Sequence, residues 1–587
     1  MSADRHDWLR APIGEGAQPY ITVPFTRTVL VIARTLTTTV WLLDFLEEVF
    51  ADDPRVQVVF TIEDTAPSVY HEEARTLLDE VGARVLPWPQ ACATVFDLAI
   101  CSTQNGSYHE LRSPLFITPH GPGFGKPASV RPGGEVPRPI RDSWRNPSVP
   151  ATTVVLSHQN QAGLFDAHES EVQLLVAGDP AYDRLVASLP RRHQYRRGFR
   201  LRREQRLVVC SSTWGPGAQL GLVPDLALRL AGELPVDEFK VAMIIHPNIW
   251  FGHGPWQVRV WLRTAVEAGV LLIPPRGDEW RAAVIASDVL IADHGSVGFY
   301  GMAIGRPLLR SSFGAQYLRA DAPLAELAKL APELRLDDTL AHQINRAIDR
   351  HDPARYRQVV DRMFDKHGEA VSIMREAIYR LIGLSVRASG GTLAVSESAI
   401  PFSAVHSHVV TGEVGHDESA QTTVAIRRLP AAADREQAAR PTSSSREKAI
   451  VGGGGGGRHL VVDEAETRAR RRESASIITR VGTGTDFGSH AQWAARVMEE
   501  LPGCRLAATL DQQDGRALIS GSDGCAFNVS VAPDEDGERP SAAALASLIY
   551  LLEISDLLDT ALGGVVSLRL DRGVSEAWIS RAPRRGP

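Results

Sequence analysis

The chain has 587 residues, 44% of them apolar and 23% charged, with a formal net charge of −7. That length calls for three or four domains with ample material for cores, and the mild negative charge excludes a nucleic-acid binder that works by bulk charge. Five cysteines (Cys92, Cys101, Cys210, Cys504, Cys525) lie scattered, without metal-ligand spacing or a disulfide framework, so a reducing cytosol fits and no metal or cofactor is expected.

Residues 1–25 read as a polar N-terminal tail without the apolar core of a signal peptide. No stretch approaches the ~20 apolar residues of a membrane helix. The expected location is the cytoplasm, with peripheral contact at the inner face of the membrane as the furthest reach towards lipid.

From residue 26 to 190, short apolar runs alternate with amphipathic stretches: Val29–Ala33, Val56–Phe60, Leu98–Ser102, Leu115–Thr118, Thr153–Leu156 and Leu174–Ala177. A second series fills 207–387, with Leu207–Ser211, Val241–His246, Val270–Ile273 and Val289–Ala292. Continuous Val/Ile/Leu runs separated by helix-length segments are the pattern of buried parallel strands in α/β units. Two such series predict two doubly wound, Rossmann-like lobes. Between them, residues 191–206 hold eight arginines. This stretch reads either as a basic patch for acidic lipid headgroups or, more plainly, as a solvated connector.

Residues 388–475 are rich in Ser, Ala, Gly and charge and include Gly452–Gly457. That composition reads as a flexible linker. Beyond it, strand-like runs (Ile477–Val481, Ala517–Ser520, Ala526–Val531, Val565–Leu570) and helical segments (His490–Glu500, Ala542–Thr560) predict a small α+β domain over 476–587, of no legible function.

Three elements could carry chemistry. Asp293-His294-Gly295-Ser296 follows the run Val289–Ala292 and precedes a helix. Ligands of α/β sheets sit at strand carboxyl ends, where free N–H groups of the next helix favour phosphate, and Ser296 adds a hydroxyl. His246 ends an apolar run and is followed by Pro247, which stops the strand. Pro119-His120-Gly121 closes the run Leu115–Thr118, and Lys126 follows nearby. The neutral imidazole of His120 suits a general base for a hydroxyl, and Lys126 could neutralise a phosphate. Each element also has a bland reading, as a helix cap, a satisfied loop histidine or a Gly/Pro turn.

In this order and spacing the elements resemble the CDP-glycerol:polyol-phosphate glycerophosphotransferase family, the teichoic acid polymerases and primases, over about residues 26–385. Pro119-His120-Gly121 stands for the family's Trp-His-Gly segment, and Gly178-Asp179-Pro180 through Leu185 for its Gly-x-Pro segment. Ser212-Thr213-Trp214-Gly215, Ile245-His246-Pro247 and Asp293-His294-Gly295-Ser296 complete the series. The resemblance implies a glycosyltransferase-B fold and transfer of glycerol phosphate from CDP-glycerol to a hydroxyl. It implies His120 as base, His246 as a phosphate contact and Ser296, with Gly295 and Asp293, at the donor phosphates. Lys126, Thr213 and His294 are further candidates. Departures are plain: Gly215 stands where the family has arginine, His294-Gly295 replaces Tyr-Ser, and Ile244-Ile245 stand before His246-Pro247 with no lysine.

The expected function is therefore a transferase that moves a glycerophosphoryl or glycosyl group from a nucleotide-activated donor to a polyol, glycan or lipid-linked acceptor. The alternative is a degenerate, non-catalytic nucleotide or nucleotide-sugar binder that signals through its C-terminal domain.

Overall fold

The computed structural model describes residues 8–13, 19, 21–65, 71–104, 106–122, 152–165, 172–275, 277–312, 318–387, 392–397, 400–438, 457–482, 487–511, 514–533, 539–570 and 573–582. Among these, three sheets account for every named strand.

The first lobe carries β1 (Arg27–Ala33), β2 (Val56–Ile62), β3 (Val85–Leu86), β4 (Leu98–Cys101), β5 (Leu115–Ile117), β6 (Thr152–Leu156) and β7 (Val172–Val176). They form one parallel sheet in the order β3-β2-β1-β4-β5-β6-β7. The apolar runs form strands because the middle of the sheet is covered on both faces: Val29 to Ala33 and Leu98 to Cys101 are buried throughout. The order reverses direction between β1 and β4, which makes their carboxyl ends the switch point of this lobe. Helix Leu36–Phe50 springs from β1 there. Its start is set by a reciprocal capping box, in which Thr35 Oγ1 accepts from Thr38 N–H and Thr38 Oγ1 accepts from Thr35 N–H.

The second lobe carries β8 (Arg206–Ser212), β9 (Phe239–Ile245), β10 (Leu271–Ile273), β11 (Val289–Ala292) and β12 (Leu308–Arg310), also parallel, in the order β10-β9-β8-β11-β12. Its switch point lies between β8 and β11. Helix Ala370–Leu381 then returns to the first lobe, where Met374, Ile378 and Tyr379 share a core with Val29, Leu42 and Leu98.

The Gly178–Leu185 segment governs this crossing. Gly178 has φ +90°, and a side chain there would begin 2.4 Å from the Asp365 carbonyl oxygen, so the chain crossing behind it admits only glycine. Asp179 caps helix Pro180–Ser188 by accepting from Tyr182 N–H at 2.9 Å. Asp183 accepts from Gly368 N–H and Ala370 N–H, holding the start of the returning helix. The motif is architectural.

Residues 191–206 differ from a solvated connector. Arg192 donates to the Ala286 and Ser287 carbonyls and to Asp288, Arg196 to Asp288 and the Gln205 carbonyl, and Arg202 to the Asp237 carbonyl. These three guanidiniums tie the connector to the second lobe. The expected N-terminal tail is likewise engaged in part: Ala11 and Ile13 are buried in the first lobe's core, and Leu9 N–H donates to Gln90.

The largest correction concerns the C-terminal third. Residues assigned by composition to a linker form β13 (Ser407–His416), β14 (Thr422–Pro430) and β15 (Gly457–Asp463), with helices Ala431–Ala438 and Ala469–Glu473. Most of the glycine run lies outside the described residues, and Gly457 opens β15. With β16 (Ile477–Gly482), β17 (Leu506–Asp511), β18 (Arg516–Gly521), β19 (Ala526–Val531), β20 (Val565–Leu570) and β21 (Gly573–Arg581) they close a barrel in the order β13-β14-β20-β21-β19-β18-β17-β16-β15. The pairing of β13 with β15 completes the ring. A closed barrel thus replaces the expected α+β domain.

Helix Ala542–Ile554 fills it. Leu545, Leu548, Ile549, Leu551 and Leu552 share one core with inward residues such as Val410, Val424, Ile477 and Ile519. A helix apolar on all sides has to be enclosed on all sides. The barrel is docked on the second lobe: Ala432 and Ala433 join that lobe's core, and Arg428 makes a two-pronged pair with Asp237 at 2.8 and 2.6 Å. Burial opposes the charge on Asp237, yet Arg428 and Arg202 hold its carboxyl well below the usual range.

Candidate active site

A cleft of about 840 Å³, open mouth included, lies between the two lobes. The first lobe contributes Thr37, Val40 and Trp41 from helix Leu36–Phe50 and His120 from the turn after β5. The second contributes Ser211 to Thr213 at the end of β8, Ile244 to Pro247 at the end of β9, and Gly295 to Val297 after β11. The structure thus brings His120, Thr213, His246, Gly295 and Ser296 to one cleft. None of its described lining residues is acidic.

The two histidines are held by the same ring nitrogen used in opposite senses. His120 Nδ1 lies 2.5 Å from the Ser102 carbonyl oxygen, which can only accept, so Nδ1 carries the proton and the lone pair is on Nε2. His246 caps helix Pro247–His253, its Nδ1 accepting from Asn248 N–H at 3.1 Å. Its ring proton is therefore on Nε2. The first imidazole thus carries its lone pair on Nε2 and the second its proton there.

Asp293 has a different place from the one expected. It is buried, and its carboxylate accepts from Thr213 N–H (2.9 Å), Gln219 N–H (2.8 Å) and Gly295 N–H (2.9 Å). Burial raises its pKa above the ordinary value, with those backbone donors working the other way. Asp293 fastens the turns after β8 and β11 together and is not among the cleft-lining residues. His294 is buried beside it and likewise lies off the lining. Ser296 begins helix Ser296–Ala303 and is exposed to the cleft, one residue beyond Gly295. Gly215, where the family has arginine, sits at φ +96°, a backbone conformation that disfavours any side chain. Lys126 lies outside the described residues.

Sequence reasoning missed the floor of the cleft. Arg281 is 1% exposed, lies over the rings of Trp280 (4.9 Å) and Trp41 (6.0 Å), and pairs with Asp44 of the first lobe and Asp278 of the second at 2.8 and 2.5 Å. Arg184 pairs with the same two aspartates at 3.4 and 2.9 Å. Two cations and two anions therefore span the lobe boundary. Tyr300, another lining residue, donates to Asp179 at 2.8 Å, linking the cleft to the crossing segment. No local motif announces the pairs of Arg281 with Asp44 or of Arg184 with either aspartate, which are distant in sequence.

Two parallel doubly wound sheets meeting at a cleft is the layout of the glycosyltransferase-B class of folds. Among solved structures, the chain is similar to the wall teichoic acid polymerase TagF at 14% identity, over 60% of this chain and 89% of that one, with a TM-score of 0.42. It is also similar to Anabaena Alr3699/HepE in complex with UDP and glucose, at 12% identity, over 61% of this chain and 100% of that one, with a TM-score of 0.34. TM-scores this low decide nothing about donor or acceptor here. No protein-family model matches the chain, and no curated protein matches it.

Proposed function

We propose that the chain is a transferase acting on a nucleotide-activated donor, with the donor held by the second lobe and the acceptor by the first. The supporting observation is the composition of one carboxylate-poor cleft: an imidazole with its lone pair on Nε2 belongs to one wall, and an imidazole with its proton on Nε2, a hydroxyl and a helix start belong to the other. The Gly295–Ser296 turn and the first N–H groups of helix Ser296–Ala303 suit the donor's phosphates, and His246 Nε2–H adds a directed donor.

In the reaction His120 Nε2 takes the proton of the acceptor hydroxyl as its oxygen attacks the donor. Attack at a sugar carbon expels a nucleoside diphosphate. Attack at the phosphorus of a glycerophosphoryl group, as with CDP-glycerol, expels a nucleoside monophosphate. Either way the departing phosphate charge builds next to His246 and Ser296.

A screen of CDP-glycerol, UDP-sugars and GDP-sugars by thermal shift on the full chain, followed by mass spectrometry of products, tests this. One class should raise Tm and yield product with an added polyol or glycan acceptor. Failure of every nucleotide to bind would end the proposal. Binding without turnover would instead favour a degenerate binding protein, the reading that Gly215 supports.

A further inference from the structure

Residues 392–397 lie between the returning helix and the barrel, in a stretch whose composition reads as linker, yet they are tied to both lobes. Leu393 N–H donates to Glu48 (3.3 Å) and Val395 N–H to Ser188 Oγ (2.9 Å), both in the first lobe. Ser396 N–H donates to Asp278 of the second lobe at 2.9 Å. The Val395 carbonyl accepts from the Tyr195 hydroxyl at 2.7 Å, and the Val395 side chain is buried in one core with Leu290 and Tyr300. Further on, Ile400 and Phe402 pack on the same core, and Val405 fills the space that a side chain at Gly269 would need. β13 begins two residues later. Backbone groups satisfied this way belong to a seated segment, not to a solvated linker.

This segment sits on the ion pairs beneath the cleft. Asp44 and Glu48 are one turn apart on helix Leu36–Phe50, and Arg184 and Ser188 are one turn apart on helix Pro180–Ser188. On each helix the first residue enters the charge cluster and the second holds residues 392–397. The cluster is reciprocal across the boundary, with Arg281 of the second lobe on Asp44 of the first, and Arg184 of the first on Asp278 of the second. Asp278 is the group common to all the parts. Its Oδ2 accepts from Arg184 and from Ser396 N–H, and its Oδ1 from Arg281, which lines the cleft. Arg281 in turn lies over Trp41 and Trp280, one lining residue from each lobe. Packed clusters of this kind switch between discrete arrangements, so unseating one member resets the others.

We infer that residues 392–397 form a strap that locks the two lobes at one angle, with Asp278 as the positioning residue that passes the strap's seating to the cleft floor. The strap leads into β13, so a displacement of the barrel reaches the cleft along it. The inference needs the cleft and not the donor chemistry proposed for it.

Spin labels on the full chain read the lobe angle directly. Arg75→Cys on helix His71–Glu80 and His342→Cys on helix Leu340–Asp349 put one exposed label on each lobe, with Cys92→Ser and Cys525→Ser removing the partly exposed native thiols. The chain with an intact strap should give a single narrow distance distribution. Ser396→Pro deletes the N–H that reaches Asp278, and Ser188→Ala deletes the acceptor of Val395 N–H. Each should broaden the distribution or shift it to longer distance. Asp278→Ala should do the most, and Asp278→Asn, which keeps an oxygen for Ser396 N–H, should recover part of the loss. Glu397→Ala removes only an exposed pair with Arg191 and should change nothing. Titration with UDP and CDP gives a second readout. If one molecule in about ten keeps the locked angle, a nucleotide that binds the wild type should bind Ser396→Pro about 10-fold more weakly. An unchanged distribution in Asp278→Ala, or in both Ser396→Pro and Ser188→Ala, would overturn the inference. So would equal broadening in Glu397→Ala, or an Asp278→Asn chain as loose as Asp278→Ala, which would show that charge and not the strap sets the angle. A wild type that binds neither nucleotide would count against the proposed function, and the distances would still decide the strap.

Discussion

His120 and His246 occupy equivalent places, each just past the carboxyl end of a parallel strand and each lining the same cleft, yet their surroundings give them opposite chemistry. A carbonyl oxygen from Ser102 fixes the proton of one ring on Nδ1, and an N–H from Asn248 fixes the proton of the other on Nε2. Residue type and position would not separate them. The backbone partner at two or three ångströms does, because a neutral imidazole has one proton to place and its first hydrogen bond decides where. Under the function proposed above, this difference suits the first-lobe ring to proton removal and the second-lobe ring to charge stabilisation.

The sharpest way to break this comparison is to remove each ring in turn. His120→Ala should lower turnover roughly 100- to 10,000-fold once a substrate pair is known, with the donor's Kd nearly unchanged. Full turnover in that variant would take the base out of the first lobe. His246→Ala should act on the other quantity, weakening nucleotide binding roughly 10-fold, as expected for loss of a hydrogen bond to a charged group. Ser296→Ala should follow in the same direction at about 3-fold, and calorimetry with UDP or CDP reads both. If His246→Ala changes turnover while sparing affinity, the two roles are shared and the tautomer distinction fails.

A smaller effect probes the register between the two walls, which Tyr300 and Asp179 help to set. Burial lifts the Asp179 carboxyl from 3.8 to about 6. The folded chain then holds this proton more tightly than the unfolded one. The associated stability therefore falls as pH rises from about 4 to 6, then levels off. Asp179→Asn can keep an oxygen for Tyr182 N–H and an amide for the Tyr300 hydroxyl without titrating. Its Tm relative to wild type should rise across that window by roughly 2–4 °C. A constant difference between pH 4.5 and 7.5 would show that this carboxyl does not titrate there.

The two lobes were legible in the sequence because their strands are buried on both faces and read as unbroken apolar runs, such as Val29–Ala33 and Val289–Ala292. Residues placed by a single strand end, His120, His246 and Ser296, were legible for the same reason. What escaped were groups defined by partners far away: Asp293 gathering three backbone N–H groups, and Arg281 meeting Asp44. The barrel was misread because β13 and β14 alternate buried and exposed residues within a Ser-, Gly- and charge-rich stretch. Averaged composition erases a period of two.

The ring order of the barrel has a consequence for synthesis. The last two strands of the barrel to be made, β20 and β21, are inserted between β14 and β19, which were made earlier. Until residue 581 emerges, both of those strands present unpaired backbone and the apolar helix Ala542–Ile554 is covered on one side fewer. Closure of the barrel therefore waits for these two strands, and it joins segments about 140 residues apart, such as Val424 with Leu568. A chain stopped short of β20 would leave the ribosome as an open sheet with two adhesive edges, already docked on a finished second lobe.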